Sequence, residues 1–137
     1  MSYVKAFVAG FLATLIFHQG MLALLGLLGP APAPFNMTPT VPFGIPAVLS
    51  LAFWGGLWGI VLWLLIRTAV GARYWLLAAV IGALGPSIVA WCVVMPMKGM
   101  GVAGGFDPKI IVGALLLNAA WGIGTGIFLR ALRPDPA

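Results

Sequence analysis

The chain has 137 residues, 63% of them hydrophobic and 7% charged, with a formal net charge of +5. A soluble domain carries about 25% charged residues, so seven Lys and Arg with two Asp and Glu leave too little polar surface to wrap a water-soluble globule. A soluble enzyme, a DNA-binding domain and a disordered tail are excluded, and the remaining solvent is the lipid bilayer.

A helix crosses about 30 Å of hydrocarbon with roughly 20 apolar residues. The first such run is Val4–Leu28, with only Lys5 near its start. Its apolar stretch is longer than the core of a cleaved signal peptide, and the cleavage-like Ala31-Pro32-Ala33 is followed by Pro34. It reads as a transmembrane helix. Ala6, Gly10, Thr14 and His18 recur every four residues and predict one stripe, with Gln19 beside it. The loop that follows, Gly29–Ile45, is uncharged and Pro-rich, which predicts a stiff, extended segment along the membrane surface.

The second run, Pro46–Ile66, holds Gly55 and Gly59 in a GxxxG, with Gly56 between them. Trp54 and Trp58 share a face, and Trp63 lies near the end. A loop from Arg67 to Arg73 leads to the third run, Tyr74–Met97. This carries Ala78 and Gly82, then Pro86, which predicts a kink near mid-membrane. Ser87, Trp91 and the lone Cys92 follow; one cysteine allows no intrachain disulfide and reads as a packed thiol. The next loop, Lys98–Lys109, is Gly-rich and flexible by composition. Asp107-Pro108 predicts an N-cap and first helical residue for the fourth run, Ile110–Leu132, whose stripe is Ala114, Asn118, Gly122 and Gly126. None of the four runs alternates as a barrel strand would. The expected fold is an all-α integral membrane protein, a compact four-helix bundle in one domain spanning 1–137.

Basic residues set the orientation. Lys5, Arg67, Arg73, Arg130 and Arg133 fall on the side of the termini; Lys98 and Lys109, offset by Asp107, fall on the other. The positive-inside tendency places both termini in the cytoplasm, in a bacterial-type inner membrane. Tyr3, Tyr74 and Trp75 suit that boundary as interfacial anchors. The basic residues form no patch, so nucleic acid is not a partner.

A shift of 63 residues brings Phe43, Trp58-Gly59-Ile60 and Arg67 onto Phe106, Trp121-Gly122-Ile123 and Arg130. A shift of 72 brings Ala6, Val8 and Gly10 onto Ala78, Val80 and Gly82. The expectation is two parallel helix hairpins, about 1–67 and 68–133, related by an axis along the membrane normal.

No Asp, Glu, Lys or Arg lies deep in any run, whereas ion- or proton-coupled transport depends on such groups. Motifs for a metal hydrolase, a phosphate loop or a CxxC are absent. His18, Ser87 and Asn118 each lie nine or ten residues from one helix end, roughly 15 Å deep, and with Gln19 they form a candidate polar layer level with Gly55. The layer reads as interhelical hydrogen bonding, as a ligand or permeation site, or as a cofactor contact. One His cannot give a bis-His haem within the chain. A haem or quinone near His18, or copper(I) on the thioethers of Met95, Met97 and Met100, are the remaining cofactor alternatives, and none is expected.

Three functions follow. The first is a structural or accessory subunit that packs against itself or a larger membrane complex and has no chemistry of its own. The second is an oligomeric, uncoupled channel for a small neutral or anionic solute, with His18, Ser87 and Asn118 at its constriction. The third is a membrane redox or lipid-modifying enzyme, for which one His and no intramembrane acid is a poor toolkit. The first is the expectation, and the protein is not expected to be an enzyme.

Overall fold

A computed structural model of the chain describes residues 2–133. It is helical, with no strand among the described residues and one isolated bridge between Pro39 and Pro46. Four helices are long and apolar enough to cross a membrane: α1 (Tyr3–Leu28), α2 (Ala47–Ile66), α3 (Gly71–Met97) and α4 (Pro108–Leu132). Lipid offers the backbone no hydrogen bonds, so runs of this composition close their bonds internally despite many Gly and β-branched residues. α3 and α4 begin three and two residues before their apolar runs, because the first turn lies outside the apolar pattern.

The ends are capped by short polar side chains. Ser2 Oγ accepts from the Lys5 N–H at 3.2 Å, and Asp107 Oδ1 accepts from the Lys109 N–H at 2.9 Å. Asp107 is the expected cap; Ser2 had no separate signal. α2 has only Pro46 before it, and its first N–H groups go elsewhere: Ala47 donates to the Thr38 carbonyl at 2.9 Å and Val48 to that of Asn36 at 2.8 Å. The Pro-rich loop therefore turns back onto the start of α2 instead of lying extended. Free helix N–H groups need acceptors wherever water is scarce, and the loop carbonyls supply them. The Gly-rich loop also has local structure, a helical turn at Ala103–Phe106 with Gly104 and Gly105 at positive φ.

Two π-helical segments interrupt the long helices, Thr14–His18 in α1 and Ala90–Val94 in α3. The extra residue in a π turn shifts the faces that follow. In α1 the buried stripe runs Ala6, Gly10, Thr14 and then Gln19, not His18. α3 continues through Pro86, and its π segment begins four residues later.

The most extensive interfaces are α1 with α2 and α3 with α4; α1 also packs along α4, and α2 touches α3 less. In the first hairpin the pairings Tyr3–Trp63, Ala6–Gly59 and Thr14–Gly55 run in opposite directions along the two helices. A Cβ on Gly10 would collide with the Gly55 carbonyl oxygen and sit 2.8 Å from Gly59 Cα. In the second hairpin Gly82 meets Gly122 and the Asn118 carbonyl, while Gly122 meets the Ala78 carbonyl. Lipid gives apolar side chains no reason to associate, so such close backbone approach, with its dispersion contacts, holds helices together. Between α1 and α4, Trp121 is 3% exposed and its Nε1–H donates to the Gly10 carbonyl at 3.0 Å. At the end carrying the chain termini, the Arg130 guanidinium lies over Tyr74 and Trp75 and that of Arg67 over Trp63. The Tyr74 hydroxyl donates to the Gly126 carbonyl at 2.6 Å.

Candidate functional site

The four polar residues singled out in the sequence fall into two separate pairs. Asn118 Nδ2 donates to Ser87 Oγ at 2.9 Å, joining α4 to α3 beside the Gly82–Gly122 contact. Ser87 is fully buried. The second pair is His18, the last residue of the π turn of α1, and Gln19, the first residue after it. Gln19 Oε1 accepts from the Phe35 N–H at 2.7 Å, and its Nε2 lies 3.0 Å from His18 Nδ1. No hydrogen bond links one pair to the other among the described residues.

The Phe35 bond fixes which way the Gln19 amide points. With Oε1 committed to an N–H donor, the NH2 end faces the imidazole and donates to Nδ1. The ring proton then resides on Nε2. Gln19 thus latches the first loop to α1 and sets the histidine tautomer. Phe35 itself takes a left-handed backbone conformation, φ 56°, which costs a non-glycine residue energy unless its surroundings hold it. The Gln19 bond is one such hold.

As an expected result, Gln19→Leu frees the loop without unfolding the bundle. The orphaned Phe35 N–H costs about 1–2 kcal/mol, and amide exchange across Phe35–Thr40 rises about five- to thirtyfold. Unchanged exchange there would remove the latch role. At the other pair, Ser87→Ala and Asn118→Ala with the double variant form a thermodynamic cycle. The expected coupling is about 0.6 kcal/mol and no more than about 1.7, read from unfolding in detergent; zero coupling would mean the bond contributes nothing.

Other polar groups are spent in the same manner. Thr14 Oγ1 donates to the Gly10 carbonyl at 2.9 Å, and Thr125 Oγ1 to the Trp121 carbonyl at 2.8 Å. The Trp91 indole N–H is the exception, buried and without an acceptor among the described residues. Cys92 is exposed on the helix surface, not packed inside as the sequence suggested. Met95 and Met97 end α3; Met97 and Met100 are exposed.

A cleft of about 260 Å3 opens beside the second pair. Its walls are His18, Gln19 and Leu22 of α1, Pro32, Ala33 and Asn36 of the first loop, Ala47, Val48 and Leu51 of α2, and Lys98 just after α3. Sequence reasoning found His18 and Gln19 but not Asn36 or Lys98. These sit in different loops 62 residues apart, and no period or motif ties them together. No family model, curated protein or solved structure matches this chain.

Proposed function

We propose that this is an integral membrane protein that works by packing, as a structural or accessory subunit without chemistry of its own. The observation that carries the reading is the commitment of the deep polar groups. Asn118 is bonded to Ser87, Gln19 to Phe35 and His18, and both buried threonines to helix carbonyls. The Asn118–Ser87 bond joins two helices, the Gln19–Phe35 bond ties a loop to its helix and the threonine bonds close within one helix, whereas a permeation path or a catalytic site presents groups to a solute. The Ser87–Asn118 level is, in this reading, interhelical bonding.

Two finer features belong to the proposal. The halves about 1–67 and 68–133 are copies of one hairpin. Supporting this, Ala6, Gly10, Gly55 and Gly59 correspond under the sequence shifts to Ala78, Gly82, Asn118 and Gly122, and the contacts within each set are alike. Both termini face the cytoplasm of a bacterial-type inner membrane, supported by the five basic residues on that side against two on the other. The partners are lipid and either further copies or a larger membrane complex.

The test is native mass spectrometry of protein extracted gently from its own membrane, paired with solute flux in proteoliposomes. The expected outcome is co-extraction with larger, different subunits at fixed stoichiometry and no flux. A homo-oligomer that conducts a small solute, with conduction abolished by His18→Ala at unchanged assembly, would replace this reading with the channel.

A further inference from the structure

We propose that the cleft bounded by His18, Asn36 and Lys98 binds a phosphate group of net negative charge, such as the headgroup of an anionic lipid. The inference goes beyond the packing role and does not depend on it.

The side chains of the cleft offer more free donors than free acceptors. Two side chains in the wall carry amide oxygens, and each already accepts one backbone N–H, Gln19 Oε1 from Phe35 and Asn36 Oδ1 from Thr38 at 2.9 Å, so one lone pair remains on each. The NH2 group of Gln19 is turned toward His18 Nδ1. What the side chains still have to give is mostly donors, the His18 Nε2–H, the Asn36 Nδ2 hydrogens and the three of the Lys98 ammonium, against one lone pair on each amide oxygen. No carboxylate lines the cleft, so the lysine charge has no compensating partner in the wall. A neutral hydroxylated solute needs acceptors as well as donors. An oxyanion needs donors alone, and bonds to charged donors are the stronger kind.

The remaining walls, Leu22, Pro32, Ala33, Ala47, Val48 and Leu51, are apolar. A volume near 260 Å3 exceeds a bare phosphate and leaves room for attached carbon atoms. The cleft lies where α2 begins, beside the Pro-rich loop, at an end of a membrane-length helix. A lipid there places its phosphate among the donors and its glycerol and first methylenes against the apolar wall.

The experiment titrates purified protein in a neutral detergent with short-chain phosphatidylglycerol, short-chain phosphatidylcholine or inorganic phosphate, and reads adducts by native mass spectrometry. Lys98→Gln removes the charge. Asn36→Asp keeps the oxygen that serves Thr38 while placing a carboxylate where the donors were. Lys109→Gln is the control, a lysine in the first turn of α4 that does not line the cleft. Phosphatidylglycerol is expected to bind in preference to phosphatidylcholine, about fivefold weaker in Lys98→Gln, from the effect of one basic residue near anionic lipid. Binding is weaker still in Asn36→Asp, unchanged in Lys109→Gln and restored in Lys98→Arg. If inorganic phosphate shows this variant pattern and phosphatidylglycerol shows no preference, the site stands with a soluble oxyanion as its occupant. Equal binding of the two lipids without phosphate binding, or equal loss in Lys109→Gln, overturns the proposal.

Discussion

Gly10→Ala is expected to destabilise the protein by about 2–3 kcal/mol, the scale of overpacking a close contact that cannot relax. The added Cβ meets the Gly55 carbonyl oxygen and Gly59 Cα. Both are backbone atoms and cannot rotate aside, so the helices must separate and lose contacts along the interface. Gly122→Ala should cost a similar amount, because its Cβ meets the Ala78 carbonyl and Gly82 Cα. Gly26→Ala supplies the internal control. Nothing lies within 4 Å of that position, and Ala is the better helix former by about 0.5–1 kcal/mol, so Gly26→Ala should raise stability slightly. The three variants are compared by thermal unfolding in one detergent. Equal effects at Gly10 and Gly26 would show that helix propensity, not close approach, governs these positions.

Trp121→Ala should cost about 3–5 kcal/mol, the scale for truncating a large buried side chain. The indole fills the space between α1 and α4, in one cluster with Ala6, Ala9, Ala13 and Leu129. Trp121→Phe separates the two contributions. It keeps most of the ring and loses the N–H bond to Gly10, a loss of about 1 kcal/mol. The Gly10 carbonyl is not orphaned, since the Thr14 backbone N–H and hydroxyl both reach it. Trp91→Phe should be near neutral, because that indole N–H has no acceptor among the described residues. Matching losses for Trp91→Phe and Trp121→Phe would mean that the Gly10 bond adds nothing.

The helices and their contact faces were legible in the sequence for the same physical reason. Lipid forces spanning segments to be long apolar helices, and it makes small residues the main mark of an interface. Gly10, Gly55, Gly59, Gly82, Gly122 and Gly126 all lie at or beside close interhelical approaches. The polar residues were harder to place. Counting residues from the helix ends puts His18, Ser87 and Asn118 at one depth, but depth does not fix azimuth, and the π turn at Thr14–His18 rotates everything after it. That turn replaces His18 by Gln19 on the buried stripe. No residue pattern in Thr14–His18 announces it. The Phe35–Gln19 bond was also illegible, because it depends on a loop doubling back so that its carbonyls serve α2. Composition reported the stiffness of that loop but not its direction.

The glycine ladder has a further consequence. Small residues that recur every four positions look alike to a partner displaced by one helical turn. Ala6 and Gly10 could ride against Gly55 and Gly59 in a neighbouring register at modest cost. The groups that distinguish the native register are the unlike ones: the Thr14 hydroxyl side chain against Gly55, the Tyr3–Trp63 ring pair and the Trp121 indole on the Gly10 carbonyl. Loss of these keying groups should produce molecules that stay helical and paired but slipped by one turn, about 5.4 Å. A ladder alone specifies that two helices meet, and a few bulky or hydroxylated rungs specify where.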